Sequence, residues 1–348
     1  ESMCVNAGNG RLVFISILFL LLRVSQSFST PNLNFGHKAT SSAQQQGMQA
    51  SPIQHDVWVV GSGTLGLKIL SQLKSASKYA DIVAETQSDS RKDEINSIGG
   101  IQHRLRAMRS EADVGSARNV IICLPPSCST SYTDEIIDAA RLWAGRSGGG
   151  NLIYTSSTGI YGEAANSIVT ESYPIDSASP SAARLAAAED VVLSQGGNAI
   201  RLAGLYTELR GPHSYWLNKS RDAAMANLPV PVLPGSAQSL VNMVHYEDAA
   251  GAVIALMKAT DITSRILLAV DNEPVSREEI CSSALASGLF PNSPMPQFAS
   301  REPSTSKICD GSLTRRMLKW EPRYPSFRAY MRGLNRRTLE QDVEAVGK

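Results

Sequence analysis

The chain has 348 residues, of which 43% are hydrophobic, 19% charged and 6% aromatic. That composition supports a packed core, excludes global disorder and leaves room for one large domain or two ordinary ones. With 33 Lys and Arg against 32 Asp and Glu the formal charge is +1, which removes the electrostatic case for nucleic-acid binding. Five scattered cysteines, with no CxxC and no zinc-type Cys/His spacing, indicate neither a disulfide framework nor a metal site.

Residues 12–22 read LVFISILFLLL between Arg11 and Arg23. The run is shorter than the ~20 residues a bilayer requires and fits the hydrophobic region of a signal peptide. Ser25 and Ser27 make a cleavage site that would leave Phe28 first. The stretch that follows is rich in Ser, Thr, Gln and Asn, and there is no acidic residue between Glu1 and Asp56. A signal peptide followed by an acid-poor stretch opening on Phe resembles the bipartite plastid presequence of algae with secondary plastids. The expectation is a disordered targeting segment over 1–55 that directs the chain to the plastid (chloroplast), with the secretory pathway as the alternative. No membrane association is expected once it is removed.

Val57-Trp58-Val59-Val60 is a strand-type run, followed at once by Gly61-Ser62-Gly63-Thr64-Leu65-Gly66 and by Leu67, Ile69, Leu70 and Leu73 at helical spacing. The order is strand, glycine turn, helix, the dinucleotide fingerprint. Gly61 serves the tight turn, Gly63 opens the approach for a pyrophosphate, and Gly66 lets helix and strand pack. A pyrophosphate would meet the helix N-terminus. Glu85, nineteen residues after Gly66 at the end of the strand Asp81–Glu85, is placed to receive the adenosine ribose hydroxyls, which favours NAD; Thr86, Ser88 and Arg91 are groups for a 2′-phosphate, and so for NADP, if Glu85 turns away.

The pattern repeats. Asn119–Leu124 is an apolar strand that runs into Pro125; Tyr132–Trp143 has helical spacing; Asn151–Ser156 is a strand, Ala182–Leu193 a helix and Asn198–Leu202 a strand. Alternation of this kind predicts an α/β fold, a Rossmann-type doubly wound parallel sheet. The expected organisation is a nucleotide-binding domain over 56–204, a smaller C-terminal substrate lobe over 205–332 with segments returning to the sheet, and a polar tail over 333–348. Asp248–Lys258 and Ser276–Ser287 read as helices, and Arg265–Val270 as a strand rejoining the sheet.

Thr155-Ser156-Ser157-Thr158-Gly159-Ile160-Tyr161-Gly162 resembles the SSxxxYG motif of the extended short-chain dehydrogenases/reductases, the sugar-nucleotide epimerase/dehydratase group. Arg201–Tyr206 with Arg210-Gly211 resembles that family's RxxxxYGP segment. Asn242 followed by His245-Tyr246-Glu247-Asp248 resembles its N…HVxD, and Lys319-Trp320-Glu321-Pro322-Arg323-Tyr324-Pro325-Ser326 its GWxPxYPS. The motifs occur in the family's order over residues 56–332 and point to the atypical branch and its plant and algal plastid members. The resemblance implies a NAD(P)-dependent oxidoreductase or epimerase-like enzyme acting on a small molecule, sugar-nucleotide or phosphorylated, with a homodimer as a candidate assembly. It implies that Leu124, Pro125 and Ser156 join the glycine loop around the cofactor and that Ser157 polarises a substrate oxygen. Arg201 with Tyr206, Arg210, His213, Tyr215 and Trp216 close behind is a set of Arg and aromatic groups suited to a phosphorylated or sugar ligand, the other reading being a loop and helix packed over the sheet. Tyr206, Arg210, His213 and Asn242 are the candidate substrate residues.

The departure from the pattern is in the helix after the SSxxxYG strand. The family carries YxxxK there, the Tyr moving a proton and the Lys lowering its pKa. Counting back from Glu189 puts Ser181 at the Tyr position and Leu185 at the Lys position. Neither can replace the lost group. Tyr161 is the candidate substitute phenol. The alternative function is a non-catalytic NAD(P)-binding sensor or assembly protein that keeps the cofactor site without the chemistry.

Overall fold

The first strand, β1 (His55–Val60), is buried except at the half-buried Asp56, because it is the middle of a sheet covered on both faces. This is seen in a computed structural model, which describes residues 52–271, 273–302 and 306–334. The targeting segment, apart from residues 52–55, and the tail beyond 334 lie outside the described residues. His55 already belongs to β1, and its Nδ1 lies 2.7 Å from Asp81 Oδ1, so the fold begins inside the span that composition gave to the presequence.

Helix α1 (Thr64–Ser75) leads from β1 to β2 (Ile82–Thr86), and α2 (Lys92–Ile98) to β3 (Gln102–Leu105). β4 (Ala117–Ile122), α3 (Tyr132–Ala140) and β5 (Leu152–Ser157) follow. A short β6 (Ile168–Val169) precedes α4 (Pro180–Ser194) and β7 (Asn198–Leu202). The central sheet has seven strands in the order β12-β7-β5-β4-β1-β2-β3, all parallel, where β12 (Ile266–Ala269) is the returning strand. This is the Rossmann-type doubly wound arrangement. Its order reverses between β1 and β4, and ligands in such sheets bind beyond the carboxyl ends at that point.

Between β7 and β12 the chain builds β8 (Gly204–Tyr206), α5 (Pro212–Met225), β9 (Val232–Ser236), β10 (Leu240–Val241), β11 (Met243–His245) and α6 (Tyr246–Lys258). After β12 come β13 (Val275–Ser276), α7 (Arg277–Ala286), β14 (Gln297–Ser300), β15 (Ile308–Cys309) and α8 (Ser312–Leu318). The pairings β8–β11, β10–β13 and β9–β14 knit this second part together. It has its own apolar core of Tyr206, Leu217, Met243, Ile280, Phe290 and Phe327. Helix α6 nevertheless packs on α1, and Gln72 Nε2 donates to Glu247 O at 2.8 Å. The Asp248 carboxylate accepts the amides of Arg323 at 2.8 Å and Tyr324 at 2.9 Å, so two of the sequence motifs are one structural joint. Burial raises the Asp248 pKa, and those two amides work against the rise.

Candidate functional site

The glycine loop is shaped by three different constraints. Gly61 has φ +85°, and a Cβ there would meet Cys123 O at 2.9 Å. A Cβ on Gly66 would meet Gly61 O at 2.8 Å, which is the close helix–strand contact. A Cβ on Gly63 would meet nothing within 4 Å, so the space beside it is open. The first i+4 bond of α1 is Leu67 N–H to Gly63 O at 2.8 Å, so the amides of Thr64, Leu65 and Gly66 precede the intrahelical ladder. With no acidic residue in that first turn, it suits an anion. The loop thus fits a dinucleotide pyrophosphate. Ser62 does not join it by its side chain: the hydroxyl is buried and donates to Val59 O at 3.2 Å, and the backbone N–H goes to Glu85 O at 2.8 Å.

Around the loop lies a cleft of about 1080 Å³, walled by Gly61, Gly63–Gly66, Cys123–Pro126 and Thr155–Gly159 on the sheet side. Leu124, Pro125, Ser156 and Ser157 thus line the same cleft as the glycine loop. Ser157 caps the short helical turn 158–161, its Oγ accepting the Gly159 amide at 3.1 Å. That leaves its hydroxyl hydrogen for another acceptor. Ser156 Oγ, in contrast, is committed to Glu189 Oε1 at 2.6 Å. Burial pushes the Cys123 thiol up to about 12, so it is no nucleophile at neutral pH.

Several expected site residues are placed elsewhere. Glu85 is fully buried and is absent from the cleft wall; its carboxylate is taken by Arg109 and Trp58. Tyr161 turns into the core, with the Arg201 guanidinium 4.8 Å from its ring centre. Burial pushes its phenol above the ordinary value, partly opposed by Arg201, which makes it a poor substitute base. Tyr206 is at the centre of the second core, edge-on to His245 and Phe327. His213 is fully buried beneath Phe290 and Phe327, with Nε2 3.1 Å from Glu208 O; desolvation lowers its pKa to about 4. Tyr206 belongs to the core of the second lobe, with apolar neighbours far along the chain such as Phe327 supplying the burial. Asn242 does line the cleft, but its amide bridges Lys307 O at 2.8 Å and Cys309 N at 2.8 Å, so it fastens β15. Arg184 clamps the loop before α3 through Pro126 O at 2.7 Å and Ser129 O at 2.6 Å.

Of the expected substrate contacts, Arg210 stays in the cleft wall, its Nε 3.0 Å from Tyr246 OH. Tyr246, Arg277 and Lys307 join it there, and sequence reasoning missed all three. Arg277 donates to Pro234 O at 2.5 Å, and Lys307 to Gly162 O at 2.6 Å. Arg210, Arg277 and Lys307 are the cations of this wall, and Glu163 is the one carboxylate among its described residues. The two positions where the resemblance expects Tyr and Lys also separate: Leu185 lines the cleft, whereas Ser181 is exposed at the start of α4 and contacts Ser179.

The sheet order and the glycine turn define a protein with the Rossmann-type fold. No protein-family model matches the chain. Protein YeeZ of Escherichia coli K12 is similar to it, 28% identical over 288 residues, which cover 77% of this chain and 96% of that protein. Among solved structures, a functionally unknown conserved protein from Silicibacter pomeroyi superimposes with a TM-score of 0.61 at 19% identity, over 81% of this chain and 98% of its own. MoeE5 in complex with UDP-glucose and NAD gives 0.61 at 18% identity, over 82% and 99%. UDP-glucuronic acid 4-epimerase from Bacillus cereus in complex with NAD gives 0.62 at 15%, over 80% and 99%. At such identities these structures establish the shared fold.

Proposed function

We propose that this chain is a NAD(P)-binding protein of the extended short-chain dehydrogenase/reductase type, an oxidoreductase or epimerase-like enzyme acting on an anionic small molecule, phosphorylated or nucleotide-linked. The observation that carries the reading is the open space at Gly63 beside the unladdered amides of α1. When bound, a nicotinamide cofactor supplies hydride acceptance or donation. The chain's own part is to hold the pyrophosphate at residues 63–66 and to offer the Ser157 hydroxyl to a substrate oxygen. Three cations against one carboxylate in the wall favour a substrate bearing phosphate. Tyr246, hydrogen-bonded by the Arg210 guanidinium, is the phenol the described wall offers for moving a proton. The protein solved with UDP-glucose and NAD lends weight to the nucleotide-linked class.

Calorimetry of the protein with oxidised and reduced NAD and NADP tests the reading. Saturable heat with at least one coenzyme is expected, and none with any of the four overturns it. A second reading, a cofactor-binding sensor or assembly protein without turnover, is favoured by Ser181 and Leu185 at the positions of the family's Tyr and Lys. Coenzyme binding without turnover on a panel of sugar nucleotides and small carbonyls, unaltered in Ser157→Ala, would select it. We further propose plastid import, on the composition of residues 1–55; a fluorescent fusion of residues 1–56 found in the endomembrane system or outside the cell would refute it.

A further inference from the structure

The residue that sequence spacing assigns to the adenosine ribose is locked into another role. The Glu85 side chain is 0% exposed. Its carboxylate receives Arg109 Nη2 at 2.6 Å and Nε at 2.7 Å, together with Trp58 Nε1 at 3.2 Å. Arg106 Nε stands 3.7 Å from the same group. A carboxylate at the end of the second strand favours NAD in two ways: it accepts the ribose hydroxyls, and it repels a 2′-phosphate. Here the forked contact uses the acceptor oxygens and the guanidinium cancels the charge, so both effects are lost. The fork engages Nε and Nη2 of Arg109 and leaves Nη1 outside it. Arg109 comes from the turn after β3, beside β2 in the sheet. Past Glu85 the chain continues through Thr86, Ser88 and Ser90 to Arg91. Thr86 Oγ1 donates to Ser88 O at 2.8 Å, and Arg91 Nη1 reaches Glu94 at 2.9 Å on an exposed edge. Asp89 is the opposing charge on this loop, and its carboxylate lies 3.7 Å from His103 Nδ1.

We propose that the chain takes NADP(H) in preference to NAD(H), with Arg109 silencing Glu85 and Arg91 supplying the cation for the 2′-phosphate. This rests on the dinucleotide reading above and makes it specific. The experiment is calorimetric titration of the protein with NADPH and NADH at one ionic strength. NADPH is expected to bind roughly tenfold tighter or more, as one charge-assisted contact supplies. Arg91→Ala should cut NADPH affinity and leave NADH affinity unchanged. Arg109→Ala should release Glu85 and invert the ratio. Because that change strands a buried carboxylate and threatens the fold, Glu85→Gln is measured beside it, and it should keep the NADPH preference. NADH binding as tightly as NADPH, or weakened in Glu85→Gln, overturns the preference while leaving a nucleotide site standing. Absence of binding by either coenzyme overturns the nucleotide reading itself.

Discussion

Arg201 and Glu189 close a two-pronged ion pair beneath the cleft floor, Nη2 to Oε2 at 2.6 Å and Nε to Oε1 at 2.9 Å. Both side chains are 3% exposed, and Ser156 Oγ adds a third contact to the same carboxylate. Burial works to lower the Arg201 pKa, and the Glu189 contacts outweigh it and raise it. Removing one partner leaves the other charge unpaired in the interior, at a cost of about 3–5 kcal/mol; replacing both by apolar groups of similar volume is close to neutral. Arg201→Met and Glu189→Leu should each lower unfolding free energy by about 3–5 kcal/mol, and the double variant should recover most of it. Denaturant melts of the three proteins check this, and additive losses in the double variant would refute it.

That pair marks where sequence reasoning stops. Six of the seven sheet strands were legible, from apolar runs such as Val57–Val60 and Val120–Leu124 and from the strand–glycine turn–helix order at residues 57–73; the edge strand β3, Gln102-His103-Arg104-Leu105, has no apolar run and was missed. The roles of Glu85 and Arg201 were not legible, because each is decided by a partner 24 or 12 residues distant in sequence. A charged residue at a strand end looks the same whether it meets ligand or an internal counter-ion. Tyr206 and His213 misled for a related reason: polar tips on large rings suit a ligand, yet the ring faces are what Phe327 uses. Arg277 and Lys307 carried no motif, and only the return of the second lobe brings them to the sheet edge.

Gly63 separates binding from folding. Its φ is −74°, and a Cβ there meets open space, so Gly63→Ala should shift the melting temperature little. The added methyl would occupy the approach to the first-turn amides, and coenzyme affinity should fall at least tenfold, on the order of one lost charge-assisted contact. Gly66→Ala drives a methyl against Gly61 O and should lower stability together with affinity. Calorimetry and thermal melts on both variants distinguish them; Gly63→Ala with unchanged affinity would place the pyrophosphate elsewhere.

Stability should depend on pH in two opposed ways. Desolvation holds His213 and His245 at about 4, against an unfolded value of about 6.5. The unfolded chain therefore binds more protons between those values, so the stability present above pH 6.5 is lost as pH falls toward 4. Asp271 runs the other way. Burial raises it to about 8 from an ordinary 3.8, and its Oδ2 has no hydrogen-bond partner. Its contribution is complete below the unfolded value and is lost as pH rises through 8. Each group changes stability by about 1.4 kcal/mol per pH unit inside its window. Asp271→Asn should flatten the decline between pH 6.5 and 8 and steepen the rise between pH 4 and 6.5, where the Asp271 and histidine slopes oppose each other. Urea midpoints of both proteins across pH 4.5–8.5 measure this, and parallel curves would show that Asp271 ionises normally.

The two tyrosines closest to the reaction question make opposite predictions. Tyr161 has the family's position in SSxxxYG, but its ring is buried against Tyr173 and Arg201 and its phenol is raised by desolvation. Tyr246 has no counterpart phenol in the motif it occupies, yet it lines the cleft and accepts Arg210 Nε at 3.0 Å. A positioned proton donor or acceptor contributes ~10²–10⁴ in rate. In a coenzyme-linked assay, Tyr246→Phe should therefore lower kcat by about 10²–10⁴ with KM for coenzyme little changed. Tyr161→Phe should keep kcat within about threefold, since it removes a hydroxyl that lines neither the cleft nor the cofactor loop; that hydroxyl is buried without a hydrogen-bond partner, so stability should hold or rise. Arg210→Lys keeps a cation but lacks the planar fork that fixes the contact, so its kcat should fall between wild type and Tyr246→Phe. If Tyr161→Phe abolishes turnover while Tyr246→Phe preserves it, the proton is moved from the core side of the strand, and the cleft wall assigned to the substrate has been chosen on the wrong face.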